Sequence, residues 1–334
     1  MESSGYEVRS PDVSHEFDLP QDPAGPDRRP ALPSPSLVTQ HDAVSGSAPV
    51  LVHALQGVLE AGAAIGQVSD YLLTRPRRLI AEFDADALID YRGQRPAMTF
   101  VRDHYASVEL PRIEIHEVVD AAGQPFLVLT GPEPDLHWQR FVASIIGLVE
   151  QWDVRLAVGV GAIPWPAPHT RPLEMSAHAT DASLIAGYEP WVGALRVPAH
   201  VSGLLEYELG HRDHAAMGYA VHVPHYLAQI RYPRAAMTLL DAVQQATGLS
   251  LPTDDLARDA ATVDADVVAQ VAGSAELQAL VAALETQHDE VLATRSRGDA
   301  SVGDPDAGVL PSADDLAAQV EQFLAEQARP DTSD

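Results

Sequence analysis

The sequence predicts an α/β protein: a three-layer α/β/α sandwich around a mixed sheet, with a helical extension at its C-terminal side. Three observations predict it. Short apolar runs, APVLVHALQG at 48–57 and VRLAVGVGA at 154–162 among them, contain or end in glycine and read as strands buried on both faces. Segments with apolar residues at helical spacing separate such runs. From about residue 253 the chain becomes rich in Ala, Val, Leu and acids, as expected of added helices.

Residues 1–47 are rich in Pro, Asp and Ser without apolar periodicity and read as a disordered tail. The core then spans 48–252. After the strand at 48–57, Ile65, Val68 and Leu72 mark a helix over 62–75, and RLIAEFD (78–84) a second strand, giving a βαβ unit of a parallel sheet. The stretch up to 113 carries no regular pattern. IEIHEVV (113–119) and QPFLVLTG (124–131) flank a turn at Asp120-Ala-Ala-Gly123 and form an antiparallel hairpin. Asp135 suits the N-cap of a helix over 136–152, with Phe141, Ile145, Leu148 and Trp152 on one face. The strand at 154–162 runs into a Pro-rich loop, IPWPAPHTRP (163–172). A strand near 173–179, a helix near 201–210, a strand at 216–223 and a helix over 225–247, closed by Gly248, complete the core. Residues 253–294 form a helical extension packing on the core, and 295–334 a linker, an acidic amphipathic helix with Leu316, Val320 and Leu324 at i, i+4, i+8, and a tail.

Composition excludes several chemistries. With no Cys there are no disulfides, thiolate nucleophiles or Cys-based metal sites. All 21 basic side chains are Arg, so there is no P-loop lysine and no Schiff-base lysine. A net charge of -27, concentrated after residue 253, repels nucleic acid and anionic membranes. With mean hydropathy of -0.07 and no uncharged run of membrane-spanning length, the chain reads as cytoplasmic.

Three clusters carry potential chemistry. His169, Thr170 and Arg171 follow a buried strand, where open α/β sheets bind ligands, and offer donors to a phosphate or carboxylate; the other reading is a proline-stiffened connector whose Arg171 pairs with a core carboxylate. His211, Asp213, His214, His222 and His225 could hold a metal, although they match no metal-binding spacing and Pro224 suits a helix start. Asp84, Asp86 and Asp90, with Tyr91 and Arg92, could serve acid–base work or bind Mg²⁺, or simply make a turn with Arg92 and Arg95 paired to neighbouring acids. No G-x-S-x-G nucleophile elbow occurs, and no cofactor is expected.

Several segments together, LIDYRGQRP (88–96), GAIPWPAPHTRP (161–172), AHATD (177–181), HVPHYL (222–227), YPRAA (232–236) and LETQHDE (284–290), resemble the type-two branch of the proteasome-assembly-chaperone family in its actinobacterial form. The resemblance covers roughly 48–292. It implies a mixed-sheet sandwich related to nucleoside phosphorylases and hydrolases, and a protein-binding assembly factor that works without ATP, with proteasome α-subunits as its partner. Chaperones of this kind often end in a hydrophobic–Tyr–any tripeptide; this chain ends Asp331-Thr332-Ser333-Asp334, so docking would use another surface. The faces of 263–292 and a sheet edge near 113–131 are candidates for self-association into a dimer or trimer. The alternative is a phosphorylase- or hydrolase-like enzyme, or a binder of small anions or nucleosides, in which Arg171 and His169 grip phosphate and an Asp from 84–90 acts as base.

Overall fold

A computed structural model describes residues 37–46, 48–188 and 194–296. In chain order the elements are β1 (Val38–Gln40), β2 (Val50–Gln56), α1 (Ala64–Leu73), β3 (Arg77–Phe83), α2 (Ala85–Leu88), β4 (Ala97–Val101), β5 (His104–Glu109), β6 (Ile113–Val119), β7 (Pro125–Pro132), α3 (Trp138–Gln151), β8 (Leu156–Trp165), β9 (Met175–Ala179), α4 (Val201–Gly210), β10 (Ala216–Pro224), α5 (Pro233–Thr247), α6 (Asp254–Ala272) and α7 (Ala275–Ser296).

The apolar runs become one eight-stranded sheet ordered β1-β3-β6-β7-β2-β8-β10-β9. Its centre, β7-β2-β8-β10, is parallel, and the pairings at either side are antiparallel. Because side chains alternate along a strand, β2 feeds two cores. Val50, Val52 and Ala54 meet Ile65 and Leu72 of α1, Leu239 and Val243 of α5 and Leu256 of α6. Leu51 and Leu55 meet Phe141 and Ile145 of α3 and Val201 and Leu205 of α4. A strand covered on both faces needs no polar alternation, which is why it reads as a continuous apolar run.

The predicted βαβ unit is present in direction but not in adjacency: β6 and β7 insert between β2 and β3. For the same reason 113–131 is interior, and the edges of the sheet are β1 and β9. The N-terminal boundary of the core also moves. Leu37 is buried and β1 pairs with β3, while Arg78 grips Asp42 and the Ala43 carbonyl. So short a strand has no pattern of its own; it borrows its order from the edge of β3. The stretch expected to be irregular contains the β4–β5 hairpin, which turns at Arg102 (φ 54) and Asp103.

Asp135 does not cap α3. Its carboxylate instead accepts the Asp90 N–H at 2.8 Å, and His137, left-handed at φ 57, stands at the N-cap position. The helix expected over 225–247 divides into a 3-10 turn at His225–Leu227 and α5, which starts at Pro233, a residue pre-shaped for the first helical position. Gly248 closes α5 at φ 77, its N–H bonded to Gln244 O, as expected. The helical extension begins at Asp254, and its Leu256 and Val267 join the core. From residue 297 on, the expected linker, acidic amphipathic helix and tail lie outside the described residues.

Candidate functional site

The Pro-rich loop is shorter than predicted, because β8 stays paired with β10 through Trp165. Its donors have partners within the fold. The Tyr226 hydroxyl accepts the His169 backbone N–H at 2.8 Å and shares a hydrogen bond with His169 Nδ1 at 2.7 Å. Arg171 binds Asp289 through two parallel bonds, Nε at 3.0 Å and Nη2 at 2.8 Å, and reaches Glu285 at 3.3 Å. Thr170 also donates to Glu285. Both acids lie on α7, and the Arg171 guanidinium holds the Asp289 carboxyl below its ordinary range. Arg171 is paired as in the connector reading, but its carboxylates come from the helical extension and not from the core.

The five-residue His/Asp cluster does not converge. His211 and His214 precede β10, and His222 and His225 lie at its other end. Eight residues of extended strand between His214 and His222 span about 26 Å. His222 is buried, stacks on Trp165 (centroids 4.2 Å) and shares a hydrogen bond with Ser176 at 2.9 Å. His225 meets the edge of Tyr226, His211 bonds Tyr207 O, and His214 sits 3.7 Å from Glu150. Among the described residues no group of three or more His, Asp or Glu is placed to hold a metal ion.

Asp84 caps α2 by accepting the Ala87 N–H, Asp86 accepts from Tyr91, and Asp90 accepts the Arg92 N–H. This is the turn reading. β3, which delivers Asp84, lies four strand positions from β8, which delivers the His169–Arg171 loop. At 4.7–4.9 Å per strand that is about 19 Å, so the structure does not bring the expected base and phosphate grip together.

A different group of polar residues does converge. One row of the sheet reads His53 (β2), Gly159 (β8), Gly218 (β10), His178 (β9). Each imidazole lies over the neighbouring glycine: a methyl on Gly159 would stand 2.6 Å from His53 Cε1, and one on Gly218 2.3 Å from His178 Cε1. The N-terminus of α4 covers this row. His200 caps it, Nδ1 accepting the Gly203 N–H at 3.1 Å. Glu133, after β7, accepts the Val201 N–H at 2.6 Å, and Glu206 of α4 holds His178 Nδ1 at 2.7 Å. His53 is 2 % exposed, and neither ring nitrogen has a hydrogen-bond partner. Burial, then the neighbouring His178 and His200, depress its pKa to about 3. Burial also lowers that of His200. Beside the group, a cleft of about 430 Å³ is lined by Thr180, Gly203, Glu206, Tyr207 and His211. Sequence reasoning missed these residues. The available signal was a single histidine inside the apolar run VLVHALQ; nothing in linear order ties it to His178 or His200.

The β4–β5 hairpin exposes a run of large apolar side chains. Met98, Phe100, Tyr105, Val108 and Leu110 are all more than two-fifths exposed, and Phe100 and Tyr105 pack edge to face across the strands at 5.1 Å. Among the described residues no single helix is long and apolar enough to cross a membrane.

Comparison with known proteins places this architecture. No curated protein matches the chain. Among solved structures, a Mycobacterium tuberculosis protein of unknown function is 41% identical with a TM-score of 0.74, covering 80% of this chain and 90% of its own. A Corynebacterium glutamicum protein of unknown function is 35% identical with a TM-score of 0.74, covering 77% and 98%. A proteasome-assembly chaperone homologue from M. tuberculosis shares the fold at 24% identity and a TM-score of 0.64, covering 70% and 99%. The model of the PAC2 family matches residues 54–271, and the chain belongs to that family.

Proposed function

We propose that this PAC2-family protein is a cytoplasmic assembly factor that binds protein partners without ATP, with proteasome α-subunits as the partner class. Family membership supports the reading, as does the same fold in a proteasome-assembly chaperone homologue. The observation that carries it is structural. The His169, Thr170 and Arg171 donors are engaged by Tyr226, Glu285 and Asp289, so the loop suited to grip a small anion is filled from within the chain. The test is binding of the full-length chain to purified proteasome α-subunits, with and without ATP. Binding that ATP does not alter is expected, and no binding to α-subunits overturns the proposed partner. A thermal-shift series with phosphate, nucleosides and Mg²⁺ addresses the enzyme reading, and no shift is expected from any of them.

The occupant of the hairpin is a second copy of this chain. An isolated two-stranded hairpin is marginal in water, so one exposed along both strands needs a partner present whenever the chain is made. Between residues 92 and 112 four arginines face only two acids, on a chain of net charge -27, so the segment complements the acidic surface of another copy. Replacing Phe100 and Tyr105 by Asp should convert the oligomer to monomer in sedimentation velocity without altering the far-UV spectrum. An unchanged sedimentation coefficient would place self-association elsewhere.

A further inference from the structure

We infer that His53 and His200, with His178 packed beside them, form a proton-operated latch that fastens the first turn of α4 to the sheet at neutral pH and frees it in mild acid. Three elements supply the imidazoles: β2, β9 and the N-cap of α4. Two further groups complete the charge environment, Glu133 from the segment after β7 and Glu206 from α4 itself. β8 and β10 contribute Gly159 and Gly218, which carry no side chain and leave room for the rings.

The cap needs a neutral ring. His200 Nδ1 accepts the Gly203 N–H, so its lone pair must be free. A protonated imidazole is a donor at both nitrogens. Taking up a proton therefore ends the cap and sets a positive charge at the positive end of the helix. The same proton opposes charge on the buried His53 ring beneath it. His53 has no acceptor to stabilise a charge while the latch is shut. His178 is half-exposed, its side chain at 48% accessibility, so the group is in contact with solvent at one end and buried at the other. Opening the turn would uncover Val201 and Leu205, both buried in the closed state, and reshape the adjoining cleft, which shares Gly203 and Glu206 with the latch.

The experiment is native-state hydrogen exchange on the full chain at pH 7.5 and 5.5, corrected for intrinsic rates, read at Gly203, Leu204 and Leu205. Each histidine that binds its proton only in the open state lowers protection about tenfold over this interval, so a fall of about ten- to a hundredfold is expected. The exchange should be insensitive to low guanidinium chloride, the mark of a local opening, whereas β6 and β7 amides should accelerate with denaturant. His200→Asn keeps a capping side chain that does not titrate in this range, and should reduce the fall by about tenfold. Protection independent of pH, denaturant sensitivity equal to that of β7, or an undiminished fall in His200→Asn would each overturn the latch.

Discussion

Gly131→Ala should cost about 3–5 kcal/mol, by adding a strained backbone conformation to an overpacked contact. Gly131 sits at φ 130, a region that only glycine visits readily. A Cβ there would stand 2.2 Å from Arg112 O and 2.9 Å from Ile113 Cα. Both obstacles are backbone, at the start of β6, and neither can swing aside as a side chain would. Moving them breaks the β6–β7 pairing at Glu114 and Thr130. For a domain of this size the loss amounts to roughly 10 °C in Tm. Gly147→Ala provides the internal control: Gly147 is an exposed residue within α3 with nothing near its missing Cβ, so alanine should stabilise by about 0.5–1 kcal/mol. A Gly131→Ala protein within about 1 kcal/mol of wild type would show that the two strands approach less closely than described.

The second large effect is a dependence of stability on pH. His53 is pushed down to about 3 in the folded chain, against an ordinary value of 6.5. The unfolded chain therefore binds a proton that the folded one refuses at every pH between these values. Stability contributed by the neutral ring is complete above pH 6.5 and is lost as pH falls towards 3. Between pH 7 and 5.5 that loss is on the order of 1 kcal/mol from His53 alone. Chemical denaturation at the two pH values measures it. His53→Leu, of similar volume and unable to titrate, should remove this component. A variant as acid-sensitive as wild type would assign the loss to other groups.

The parts of the fold that were legible in the sequence are those where one face decides. The helix predicted near 201–210 is α4, and the strand predicted at 216–223 is β10 but for its last proline. In both, a local apolar pattern reports burial directly. The elements that were not legible depend on distant partners. β1 exists because β3 offers an edge to Val38–Gln40. β4 and β5 alternate weakly and are exposed throughout, so they bear no signature of a buried face. Strand adjacency was also hidden, since no local feature records that β6 and β7 enter between β2 and β3. The candidate site followed the same rule. Arg171 was legible as a residue in need of a carboxylate, yet its partners stand more than a hundred residues away on α7. His53 was invisible as part of a group, because its neighbours arrive from β9 and α4 only once the sheet is assembled.

The order of strands bears on how the chain is built from its N-terminus. β1, β3, β6, β7 and β2 all come from residues 38–132, whereas β8, β9 and β10 come from residues 156–224. The two sets meet along one seam, Val50 to His53 against Leu156 to Gly159. The first set can pair before the second has left the ribosome, and β2 is then a bare, apolar edge of the kind that invites pairing with other chains. Pulse-labelled exchange during refolding should accordingly protect β6 and β7 before β10. His53 is the last rung of that seam, so the residue that resists a proton in the finished fold would, until β8 arrives, be exposed along that edge and free to carry one.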